Sequence, residues 1–137
     1  MGKSEARALA EDVIESAVVS HGGKISPGFD NLFFYRCVGE RYELAEDGRF
    51  SMSYYGRTEV SPESQAAAMR QIRRALARRG FHVERDVPPE VAREISLQAE
   101  GPHRFSVSVE SDENEGVVRF SLQTPCLLPP GVKQEEF

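Results

Sequence analysis

Serine, glutamine, arginine, tyrosine and histidine recur at every second position in several segments of this 137-residue chain, and any chemistry would be carried by that spacing. Tyr55 and Arg57 share one register, as do Ser106 and Ser108, while His82, Gln98 and Arg119 fall on the polar phase of their own segments. A face bearing hydroxyls, amides and guanidinium groups can hold a polar ligand, a peptide or a glycan. Simple solvation explains the same residues, because an antiparallel sheet commonly leaves one side to water. Nucleophilic catalysis by one of the serines would need a base and an orienting acid, and the sequence identifies neither. The three histidines are scattered: His21 at a helix end, His82 on a strand and His103 in a turn. They read as surface residues rather than metal ligands. No G-x-S-x-G, H-E-x-x-H, Walker or G-x-G-x-x-G motif and no C-x-x-C pair is present, so neither a metal nor a cofactor is expected.

Arg70, Arg74 and Arg78, widened by Arg73, form a basic stripe at helical spacing that could track phosphates. The simpler account is the solvated side of an amphipathic helix, since the stripe lies opposite Met69, Ile72 and Leu76. The net charge of −5 and a pI near 5.3 also argue against nucleic acid or anionic lipid as main partner. Cys37 and Cys126 are the only cysteines. They are either free, buried thiols or a bridge closing a loop of about 90 residues, which would contribute roughly 4 to 5 kcal/mol in the chain-entropy model.

These residues need elements to hold them. Ser4 reads as an N-cap for a helix carrying Ala6, Leu9, Ala10, Val13, Ala17 and Val18 up to His21 and the Gly22-Gly23 stop. Leu32 to Val38, apolar on both phases, predicts a strand buried on both faces or packed under the N-terminal loop. Arg41 to Ala45 predicts a short strand, Asp47-Gly48 a tight turn, and Phe50 to Val60 a long strand with its even-numbered residues inward. Ser61-Pro62-Glu63 opens a second helix, which buries Ala68, Met69, Ile72, Ala75 and Leu76 and stops at Gly80. Phe81 and Val83 begin a strand, Pro88-Pro89 breaks it, and a turn of helix through Val91 is expected. The clearest pattern follows: Ile95, Leu97 and Ala99, then Phe105, Val107 and Val109, then Val118, Phe120 and Leu122 alternate with polar residues. Three such segments in a row predict an antiparallel meander with one dry and one wet face.

The length suits a single domain over residues 1–128, with 129–137 as a flexible tail. The expected fold class is α+β, a two-layer sandwich of an antiparallel sheet of about five strands with two long helices on one face. Two helices cover about 20 Å, or roughly four strands. An edge strand is therefore left partly uncovered, or the Leu32 to Val38 segment lies outside the sheet. Apolar runs are far too short to span a membrane, and no signal-peptide core precedes the first helix.

Tyr54-Tyr55 on a strand, the Ser61-Pro62 helix with Arg70 and Leu76, Gly80-Phe81 and, above all, the Thr124-Pro125-Cys126 ending resemble a group of small actinobacterial proteins. These are described as secreted proteins or lipoproteins of unknown function. The abundance of arginine over lysine, 14 against three, fits the same GC-rich bacterial origin. The resemblance covers roughly residues 37 to 130 and implies a Cys37–Cys126 bridge and an extracytoplasmic or cell-envelope location. This chain departs from the group in showing no signal peptide and no lipid-accepting cysteine, so either its native N-terminus is trimmed, which Met1-Gly2 would suit, or it is a cytoplasmic relative with free thiols. The group supplies no catalytic residues. The expectation is therefore a non-enzymatic binding domain using the wet sheet face or an exposed edge, for a protein, peptide or glycan, as a monomer or an edge-paired dimer. The alternatives are a small enzyme whose pocket, for example around Tyr55, Arg57 and His82, assembles only in three dimensions, and nucleic-acid binding through the arginine stripe.

Overall fold

A computed structural model describes residues 1–28, 31–39, 41–86 and 96–131. Its first helix, α1, runs over Lys3–Ser20 and buries Ala6, Ala10, Val13, Ile14, Ala17 and Val18 along one stripe. Gly2, not Ser4, holds the N-cap position. The Ala6 N–H donates to the Gly2 carbonyl at 3.0 Å, so the first turn closes two residues earlier than the serine signal indicates. The second helix, α2, spans Pro62–Arg78 with proline at its start, as expected. It ends in a Schellman motif: the Phe81 N–H donates to Leu76 C=O and the Gly80 N–H to Ala77 C=O, both at 3.0 Å. That closure requires φ +87° at residue 80, which glycine adopts without a Cβ penalty.

Six strands, rather than about five, form one antiparallel sheet: β1 (Asn31–Arg36), β2 (Phe50–Glu59), β3 (His82–Asp86), β4 (Ser96–Glu100), β5 (Ser106–Asp112) and β6 (Val117–Gln123). Their order is β1-β2-β6-β5-β4-β3. The meander β3 to β6 folds back so that β6 pairs with β2, while α2 carries the chain from β2 to the far edge. Both helices lie on one face, α1 against β2 and β6 and α2 against β3 and β5. The predicted alternation holds along β2, where Phe50, Met52, Tyr54, Gly56 and Thr58 are buried, and along β5 and β6, where Val107, Val109, Val118, Phe120 and Leu122 are buried. Together with Ile14, Ile72 and Leu76 they form the core.

The uncovered strand is β1. It belongs to the sheet, but Phe33 and Tyr35, opposite Ser53 and Ser51, lie on the face without helices, while Phe34, against Phe50 on the helix face, has Lys3 at the start of α1 above it. All three are exposed, and the expected burial on both faces does not occur. Arg41 to Ala45 forms no strand. It returns through a turn to a single bridge between Val38 and Leu44, because Tyr42, at φ +65°, reverses the chain. The expected Pro88-Pro89 break, the turn of helix through Val91, Ile95 and residues 132–137 of the tail lie outside the described residues.

Cys37 and Cys126 are joined by a disulfide, their Cα atoms 6.1 Å apart and 89 residues apart in sequence. The Thr-Pro-Cys ending builds one side of this bridge. Pro125 has no N–H to extend the β6 ladder. Thr124 compensates, accepting the Met52 N–H on its Oγ1 at 2.9 Å and donating its own N–H to Met52 C=O. Leu127 then resumes pairing with Phe50, which leaves Cys126 to reach across the start of β2 to Cys37, just past β1.

Candidate functional site

The solvated face of the sheet presents its side chains in rows set by strand register. One row is Arg57, Arg119 and Glu110, on β2, β6 and β5; the next is Tyr55, Ser121, Ser108 and Gln98, on β2, β6, β5 and β4. The first three strands cup an open hollow of about 360 Å³, lined by Tyr55, Arg57, Ser108, Glu110, Arg119 and Ser121 together with Gly56 and Phe120. That volume sits at the small end of the roughly 300–1,000 Å³ range of ligand pockets.

The hollow is electrostatically self-contained. Arg119 donates to Asp112 at 2.9 Å and to Glu115 at 2.5 Å, and Arg57 lies 3.5 Å from Glu115. Asp112 and Glu115 belong to the β5–β6 turn, where the Gly116 N–H donates to Asp112 C=O and the Glu115 N–H to Asp112 Oδ1. Donation by Arg119, helped by the Glu115 N–H, holds the Asp112 carboxyl below its usual range. Hydrogen bonding to Asp112 and the charge of Glu115 in turn raise the Arg119 pKa. Gln65 anchors this turn from the helix side, donating to Asp112 C=O at 2.8 Å and Val60 C=O at 3.0 Å. The two arginines are thus held in place by acids rather than waiting for an anion.

Four of the residues singled out in the sequence, Tyr55, Arg57, Ser108 and Arg119, meet in this hollow. Gln98 stands one strand further along the row, opposite Ser108, and Ser106 lies one residue pair away, opposite Gln123. His82 is on β3, opposite Glu100, four strand spacings or roughly 19 Å from β2. A pocket joining His82 to Tyr55 and Arg57 therefore does not form. Arg70, Arg73, Arg74 and Arg78 are all exposed on the solvent side of α2. Among the described residues no three of His, Cys, Asp and Glu stand close enough to hold a metal, and no helix is long and apolar enough to cross a membrane.

Sequence reasoning missed Glu110, two positions on from Ser108 in the same register, so the alternation itself was the available signal. It also missed the aromatic border. Phe33 on β1 packs edge-on to Tyr55 with ring centroids 6.3 Å apart, and Tyr35 lies 6.4 Å from Phe33. Because both phases of β1 are apolar, its periodicity carried no information about which rings face water.

No family model and no curated protein matches this chain. Among solved structures, a DUF4853 family protein from Actinomyces odontolyticus ATCC 17982 is similar, with a TM-score of 0.51 at 9% sequence identity. The match covers 98% of this chain and 73% of that one. The likeness is one of fold, to an actinobacterial protein from a family of unknown function.

Proposed function

We propose that this chain is a non-enzymatic, extracytoplasmic binding domain whose solvated sheet face takes a neutral, hydroxyl-rich ligand of the glycan class. The observation that carries the reading is the meeting of Tyr55, Arg57, Ser108, Glu110, Arg119 and Ser121 from three adjacent strands around one hollow. A half-exposed tyrosine ring offers a flat apolar surface for the face of a sugar. The serines, Glu110 and the arginines supply donors and acceptors around it, held on strands so that little ordering entropy is lost on binding. The local charges favour a neutral ligand over an anion: Arg57 and Arg119 are matched by Asp112 and Glu115, and Glu110 adds a further carboxylate acceptor to the lining. The disulfide supports a location outside the cytoplasm, where such bonds persist.

Titration with soluble cell-wall glycan fragments, followed by amide chemical shifts, tests the reading. Shifts should centre on β2, β5 and β6, and Tyr55→Ala should weaken binding about tenfold or more, the scale of one lost stacking contact. Absence of saturable shifts, equal binding by the variant, or conversion of the fragments to products would overturn it.

A further inference from the structure

Eight large apolar side chains are exposed among the described residues; six of them fall between Phe33 and Leu44, and a seventh, Tyr55, touches Phe33. They cluster along the β1 edge and the turn that follows it, Phe33 and Tyr35 beside Tyr55 on the solvated face and Phe34 against Phe50 on the helix face. Exposed apolar side chains concentrated along one sheet edge mark an interaction site. The backbone adds a second requirement. The Cys37 N–H donates to Arg49 C=O on the β2 side, while Phe50 exchanges both its bonds with Leu127 on the opposite side of β2. Alternation along an antiparallel ladder then turns the odd-numbered backbone groups of β1 toward β2. The N–H and C=O of Leu32, Phe34 and Arg36 project from the outer edge, where no described residue pairs with them.

We infer that β1 is a self-association edge, pairing antiparallel with β1 of a second copy about a two-fold axis at Phe34. In that register Phe34 faces its own mate and Leu32 faces Arg36 of the other copy, so all six projecting groups of each strand are paired within β1. Phe33 of one copy lies opposite Tyr35 of the other, at the close-approach positions of the ladder where cross-strand side chains interact most strongly. The lone charge in β1, Arg36, meets no like charge. Both solvated faces end on the same side of a continuous sheet. A second copy is the occupant because β1 is complementary to itself, whereas β3, the other edge, reads His82-Val83-Glu84-Arg85-Asp86 and is bulged between Val83 and Arg85. Charges and bulges are how edges avoid pairing, so head-to-tail β1-to-β3 stacking into filaments is disfavoured. The association stands independently of the ligand reading, and its failure leaves that reading intact.

Sedimentation of the full oxidised chain across a concentration series tests it. A reversible monomer–dimer equilibrium is expected, with Tyr35→Lys and, separately, Phe33→Lys each raising the dissociation constant about tenfold or more, since each places a charge on both sides of the seam. Register is read by Phe34→Cys, which should form a reducible dimer through its own mate, while Tyr35→Cys, facing Phe33, should not. A monomer at every concentration, a dimer indifferent to both lysine variants, or cross-linking at position 35 and not at 34 would overturn the inference.

Discussion

The two edges of this sheet solve the same problem in opposite ways. Along β3 the chain carries four ionisable residues in five and breaks its ladder with a bulge, so the edge repels further strands. Along β1 it carries Leu32-Phe33-Phe34-Tyr35, runs in unbroken register with β2, and is held at its end by the Cys37–Cys126 bridge. A protected edge needs no staple and an apolar one needs a fixed shape if it is to meet a partner. The placement of the disulfide therefore belongs with the exposure of the aromatic residues, and the inferred self-association of β1 would draw on both, next to the Tyr55 hollow.

Removing the bridge should break this contrast most severely. Cys37→Ser combined with Cys126→Ser is expected to cost roughly 4 to 5 kcal/mol in chemical denaturation, the chain-entropy value for a loop of this length. Native-state hydrogen exchange should lose protection first in β1 and the start of β2, with β4 and β5 little changed. A smaller loss is expected on the β3 side from Gly101→Ala. A Cβ there would lie 2.5 to 2.7 Å from the buried Phe81 ring, and overpacking of that kind costs about 1 to 3 kcal/mol by thermal melting. The β1 rings should behave differently, because Tyr35→Lys alters an exposed side chain. Monomer stability should then change by no more than about 0.5 kcal/mol even as self-association is lost. Equal damage at Tyr35 and at Gly101 would erase the distinction between a binding edge and a structural one.

The smallest effect concerns pH. His21, at the end of α1, has its pKa lowered by desolvation, partly offset by a backbone hydrogen bond, and its Nε2 is buried without a partner. A histidine with a lower pKa folded than unfolded binds more protons when unfolded, so stability is full above the unfolded value of 6.5 and falls as pH drops through the folded one. His21→Gln should flatten the melting temperature against pH below 6.5 without altering the association at β1. A profile unchanged by the substitution would remove His21 from the account.

Much of the fold was legible because its signals are local. The alternation in β2, β5 and β6, the Ser61-Pro62 start of α2 and the Gly80 stop each depend on residues within a turn or a strand of one another, and each stands where expected. The N-cap of α1 moved to Gly2 because a serine side chain near a helix start is a preference, whereas the first closed hydrogen bond is a fact of backbone geometry. Half of the site was legible in the same way. The outward register of Tyr55, Arg57, Ser108 and Arg119 followed from period two, but so did that of His82, Gln98 and Ser106, and periodicity gives every outward residue equal standing.

Along β2, β5 and β6 the sequence alone determined which residues face the helices and which face water, because a pleated strand sends neighbours to opposite sides whatever its surroundings. Only the tertiary structure decided who stands beside whom. The order β1-β2-β6-β5-β4-β3 placed Arg57 against Arg119 and Tyr55 against Ser121, and sent His82 to the far edge. It also left β1 outside the span of two helices. An apolar run looks the same whether it is covered by its own fold or waits for a second chain, since hydrophobicity records a surface withdrawn from water and not what withdraws it.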